Sequence, residues 1–138
     1  MDIPDYLTKT FSLNDAASLQ YQNVSKEAYV IAIEDNKDEL ESLGMKFVSA
    51  KDFLMYFLKD FHKGATNRKE SSVAEFEANK NKHAQVELTW TNDSTDFYML
   101  ITSVETPNHF YKILCWTIAE NKEMLKNDFV RISKSLKD

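Results

Sequence analysis

Three histidines and a single cysteine are the side chains best suited to catalysis or metal ligation, and their spacing promises neither. His62 falls at a helix end, His83 at a hairpin tip and His109 in a turn. None has a second histidine or a carboxylate at the HExxH spacing that sets two imidazoles on one helix face. Solvent-exposed loop histidines are the expectation. Cys115 lies mid-strand among apolar neighbours, which predicts a buried small hydrophobe rather than a nucleophile. A lone cysteine also excludes an internal disulfide framework and the usual cysteine-based zinc sites.

Paired carboxylates could do acid–base work or hold calcium. The run Asp35 to Glu41 lacks the glycine of a calcium loop. With Asn36 as cap and Glu39 three residues on, it reads as a helix start. Glu75, Glu77 and Glu87 alternate with apolar residues and should line a solvated sheet face. The short basic clusters, His62-Lys63 with Arg68-Lys69 and Lys80-Asn81-Lys82-His83, read as solvated turns. Two glycines leave little material for phosphate-cradling loops, and no Gly-x-Ser-x-Gly is present. A net charge of −5 argues against nucleic acid, whose backbone calls for a basic surface. The sequence thus nominates no catalytic, cofactor-binding or metal-ligating residue and no ligand-binding residue, and it reads as a non-enzyme.

The strongest structural signal is Phe97 to Ala119. Phe97, Met99 and Ile101 alternate with Tyr98 and Leu100, and Val104 falls on the parity of the second set. In the second arm Phe110, Leu114, Trp116 and Ile118 oppose Tyr111, Ile113 and Cys115, with Thr106-Pro107-Asn108-His109 as the turn. Apolar residues on both parities require cover on both faces, so this hairpin belongs at the centre of a sheet between helices. Residues 18–22 and 29–33 form a second hairpin. Segments 73–78, 84–91, 95–105 and 109–119 should run as an antiparallel meander, with 64–72 a polar loop. The short helix after Asn36 should bury Leu40 and Leu43 and end at Gly44. A second helix, 49–63, starts at Ser49 and stops at Gly64. Its stripe Leu54, Phe57, Leu58 and Phe61, flanked by Phe53, Met55 and Tyr56, points to core packing, with a hydrophobic ligand groove as the alternative. A closing helix over 121–136 sets Leu125, Phe129, Ile132 and Leu136 on one face. Trp116 and Phe129 are expected in the core.

The order of elements and several phrases resemble the Mog1/PsbP-like superfamily. The phrases are Leu19-Gln20-Tyr21 leading to Tyr29-Val30-Ile31-Ala32-Ile33, and Phe110-Tyr111-Lys112-Ile113 leading to Trp116-Thr117. The ending Phe129-Val130-Arg131-Ile132-Ser133-Lys134-Ser135-Leu136 looks like the family's closing helix, with Leu136 where a phenylalanine is common. The likeness spans nearly the whole chain and rests on packing positions. It implies an α+β fold: one domain over 1–138, an antiparallel sheet of about six strands between helices in an α/β/α sandwich. Known relatives include an extrinsic photosystem II subunit and a Ran-binding import factor, and no residue here matches either binding surface. Many bacterial members are exported proteins or lipoproteins. The resemblance therefore implies a non-enzymatic adaptor at the cell envelope or periplasm that binds another protein. No run is long enough to span a bilayer, so any membrane tether would precede residue 1. A carrier of small hydrophobic ligands between helix 49–63 and the sheet is the alternative function, and the cytoplasm the alternative location.

Overall fold

A computed structural model of the chain describes residues 1–137. The strands are β1 (Thr8–Lys9), β2 (Leu19–Asn23), β3 (Ala28–Asn36), β4 (Thr66–Glu70), β5 (Ala74–Ala78), β6 (Asn81–Asn92), β7 (Thr95–Glu105) and β8 (His109–Ile118). The helices are α1 (Lys37–Ser42), α2 (Ala50–Leu58) and α3 (Lys122–Lys134). All strand pairs are antiparallel, in the spatial order β1-β2-β3-β8-β7-β6-β4, with β5 also paired to β6. The α+β reading holds, but the sheet has eight strands rather than about six.

The predicted central hairpin is β7–β8, and it does lie mid-sheet. Its two parities feed two cores. Tyr98, Leu100, Val104, Ile113 and Cys115 pack with Leu125, Phe129 and Ile132 of α3. Met99, Ile101 and Leu114 pack with Ala50, Leu54 and Leu58 of α2 on the opposite face. No helix among the described residues is long and apolar enough to cross a membrane.

The helix caps form as their residue types dictate. Asn36 accepts from the backbone N–H groups of Asp38 and Glu39, and Ser49 from that of Asp52. Gly44 closes α1 at φ +78, a backbone state that disfavours side chains. Two expectations for these helices fail. Leu43 is 75% exposed and Leu40 only half-buried, because α1 is a single short segment lying over the end of the sheet. Regular helix in α2 ends at Leu58, before Gly64; His62 takes the left-handed conformation instead, at φ 51.

The polar stretch 64–72 is the larger correction, because it contains β4. Its residues Thr66, Asn67, Lys69 and Glu70 are exposed, so no apolar alternation marks it; backbone pairing to β6 holds it in place. Arg68 adds an anchor, donating from Nε to the Phe61 carbonyl and from Nη2 to the Leu58 carbonyl, both at 3.0 Å. It thereby caps the C-terminal end of α2, where carbonyls lack helical partners.

The β5–β6 turn is also tighter than expected. It consists of Asn79 and Lys80 alone, both left-handed at φ 51 and φ 67, and β6 starts at Asn81. Asn79 then reaches across to the Lys134 carbonyl at 2.9 Å, tying this turn to the end of α3. Trp116, expected in the core, is half-buried and stacks on Tyr29 at 5.4 Å.

Two stability measurements follow. Phe129→Ala should cost about 3–5 kcal/mol in denaturant unfolding, and Trp116→Ala, only half-buried, about 1–2 kcal/mol; equal losses would show that the cores are misplaced. Lys80→Gly should stabilise by about 0.5–1 kcal/mol by relieving a left-handed lysine in a two-residue hairpin turn, and a destabilisation would contradict this backbone geometry.

Candidate functional site

The face of the sheet that carries α2 is only partly covered. In the β3–β8 register Ile33 pairs with Lys112 and Asp35 with Phe110, which places Asp35, Phe110 and Lys112 together beside α1 and α2. Along α2 the apolar stripe divides. Ala50, Phe53, Leu54 and Leu58 are buried, whereas Phe57 is partly open and Met55 and Tyr56 are exposed. The divided stripe leaves a groove of about 530 Å³ with Leu40, Met45, Phe53, Tyr56, Phe57 and Phe61 as its apolar walls. Asp35, Asp60 and Lys112 are its polar groups.

Ring contacts hold these walls in place. Phe53 stacks on Phe110 at 4.8 Å, and Phe47 meets Phe53 and Tyr56 edge-on at 5.1 and 5.2 Å. Phe57 stacks on Phe61 at 4.6 Å. On the floor, the Lys112 ammonium lies 4.9 Å from the Phe57 ring centre and 5.5 Å from that of Phe53, within cation–π range. Its nearest carboxylate oxygen, Asp35 Oδ2, is 3.6 Å away, beyond hydrogen-bond distance, and that buried oxygen has no hydrogen-bond partner. Lys37, over the Phe110 ring at 5.0 Å, pairs with Glu105 at 2.9 Å. Such a site can seat an apolar body against the rings and orient a polar group at its floor. The stripe was visible in the sequence, but its division between core and groove was not. The inward-facing Lys112 between Phe110 and Leu114 was the one available signal.

The histidines are not brought together. His62 stacks on Trp90 at 4.4 Å, and burial, then Arg68, hold its pKa below the ordinary value. His109 Nε2 lies 2.9 Å from Glu34 and is half-buried rather than free in a loop. His83 overturns its expectation outright. It is 1% exposed in β6, stacks on Phe76 at 5.0 Å and has Nδ1 3.0 Å from the Asn81 carbonyl oxygen, while Nε2 has no hydrogen-bond partner. Because the turn is short, the strand begins earlier and turns this ring inward. Burial lowers its pKa, against the backbone contacts at Asn81 and Ser133 that raise it.

Cys115 is buried as expected, and burial pushes its thiol up to about 12. Glu75 and Glu77 are exposed, as a solvated face requires. Glu87 is not: it accepts from the Tyr98 hydroxyl at 2.7 Å and lies 3.4 Å from Lys126 of α3. Burial alone would raise the Glu87 pKa, but the Tyr98 hydrogen bond and then Lys126 outweigh it and hold the group below the ordinary value. No group of three or more His, Cys, Asp or Glu side chains among the described residues is arranged to hold a metal.

Solved structures with this architecture are at hand. LpqN, a Mycobacterium tuberculosis protein involved in cell envelope biogenesis, superposes with a TM-score of 0.71 at 9% identity, over 98% of this chain and 79% of that one. Cyanobacterial PsbP from Synechocystis sp. PCC 6803 superposes at 0.68 with 12% identity, over 96% and 81%. A Pseudomonas aeruginosa protein of unknown function superposes at 0.60 with 9% identity, over 100% and 85%. The chain therefore has the Mog1/PsbP-like fold. No family model and no curated protein matches its sequence.

The buried neutral His83 gives a pH prediction. Its folded pKa lies below the unfolded value of about 6.5, so its contribution is complete above that pH and drains away as pH falls through and below it. Urea unfolding at pH 7 and pH 5 should show a larger loss for the parent chain than for His83→Gln. Equal losses would mean that His83 is not held neutral by the fold.

Proposed function

We propose that this chain is a non-enzymatic binding domain that docks another protein at the cell envelope through the aromatic groove beside α2. The observation that carries the reading is the groove itself, together with what surrounds it. Of the seven large hydrophobic side chains exposed among the described residues, four, Leu43, Val48, Met55 and Tyr56, fall between the end of α1 and the last turns of α2, and Tyr56 lines the groove. Apolar surface concentrated around a cleft is the usual mark of a partner-binding face. The separate packing of the three histidines and the high pKa of Cys115 support a role in binding rather than in bond-making. The envelope location draws on LpqN, whose involvement in cell envelope biogenesis is a property of that protein.

A small apolar ligand is the second reading, favoured by the groove volume of about 530 Å³, which lies within the range of about 300–1,000 Å³ common for ligand pockets.

A photo-crosslinking residue at Met55, compared with one at Met124, separates the two in cells expressing the native gene. Both positions are exposed, and only Met55 lies on α2. Protein adducts confined to Met55 are expected. Absence of any adduct, together with quenching of Tyr56 fluorescence by the neutral dye N-phenyl-1-naphthylamine, would favour the small-ligand reading instead.

A further inference from the structure

The charges around the groove define the chemistry of its partner. Residues 34–60, which contain both flanking helices, hold seven acids against four lysines, a net −3 of the whole chain's −5. Several charges in this stretch are already matched. Lys37 pairs with Glu105, Glu34 with His109, and Asp35 faces Lys112. Asp52 accepts from the Val48 backbone N–H. Asp38 and Glu39 in the first turn of α1 favour its own helix dipole, yet neither has an ion-pair partner among the described residues. The same holds for Glu41 and for Asp60, which is exposed and lines the groove. Lys46, Lys51, Lys59 and, just past this stretch, Lys63 are exposed and unpaired as well, so these open charges balance and the negative excess sits in the groove lining itself.

Within the groove the lining carries two carboxylates and one ammonium. The ammonium is Lys112, seated over the Phe53 and Phe57 rings, so these ring faces already hold a cation. An anionic group entering here would meet Asp60 and Asp35 as well as Lys112. A cationic one would meet a lining with two carboxylates against one ammonium.

We propose that the occupant is an amphipathic, basic protein segment, whose apolar side chains seat against Tyr56, Phe57 and Phe61 while a lysine or arginine pairs with Asp60. This rests on the docking function proposed above and adds the partner's chemistry. The segment binds as an amphipathic helix lays its apolar face in a groove. The Asp60 carboxylate at the groove sets its orientation, so binding weakens as salt rises.

The test titrates the whole chain with a Leu/Lys amphipathic peptide of about 15 residues, and with a Leu/Glu peptide of the same pattern. Binding is followed by NMR shifts of Tyr56, Phe57, Phe61 and Lys112. The Leu/Lys peptide should bind at least about tenfold tighter, and Asp60→Asn should remove much of that difference. Asp60→Lys, at an exposed position, should shift preference toward the Leu/Glu peptide. Equal affinity for the two peptides, or preference for Leu/Glu by the parent chain, overturns the basic-partner inference and leaves groove docking intact. If neither peptide moves the groove resonances while N-phenyl-1-naphthylamine does, the protein partner is overturned and a small ligand remains. If no probe moves them, the groove is not a binding site and both readings fall.

Discussion

At the middle of β7 there is no side that water can reach. Tyr98, Leu100 and Val104 are sealed on one face, and Met99 and Ile101 on the other. Burying one such large side chain is worth about 1.5–3 kcal/mol, so exposing either face would undo much of the folding free energy. The chain must therefore supply cover twice. Directly after β8 it turns into α3, which takes the first face, while α2 comes from the long excursion between β3 and β4 and takes the second. The covers are unequal, nine residues of α2 against thirteen of α3. The groove is what the shorter helix leaves uncovered.

Two polar clusters, one under α3 and one beside α2, are handled differently. Under α3 the buried Tyr98 ring extends its hydroxyl to Glu87, and Lys122 lies over the same ring at 5.2 Å. That arrangement satisfies its members and fixes where α3 crosses the sheet. Beside α2, Lys112 and Asp35 stop short of hydrogen-bond distance, and the ammonium rests on rings instead. The first pattern is structural closure, and the second leaves hydrogen-bonding capacity open in a cleft.

Most of the fold was legible because it is written in side-chain periodicity. The β7–β8 hairpin, the α3 stripe of Leu125, Phe129 and Ile132 and the caps at Asn36 and Ser49 all follow from local rules, although α3 ends at Lys134, short of the expected Leu136. β4 escaped because its pairing is made by backbone atoms, which leave no trace in a run such as Thr66-Asn67-Arg68-Lys69-Glu70. The role of Arg68 escaped with it, since a side chain that caps a helix ten residues earlier in the chain has no local signature. His83 was misplaced for a different reason. Two left-handed residues sufficed where a longer loop was expected, so His83 became a strand residue opposite Val104, on the face that α3 covers. The groove was least legible of all. Leu54 and Phe57 belong to the same hydrophobic stripe, and only the short reach of α1 and α2 decides which becomes wall and which becomes core.

The outer side of β6 has a further consequence. It is bordered by two short pieces, β5 opposite Asn81–Gln85 and β4 opposite Leu88–Thr91, and Ser71 bonds both the N–H and the carbonyl of Glu87 where they meet. The opposite margin of the sheet, β1, is two residues long. Neither margin offers an unbroken row of free amides and carbonyls on which a foreign strand could zip, so fibrous stacking through the sheet is discouraged at both ends.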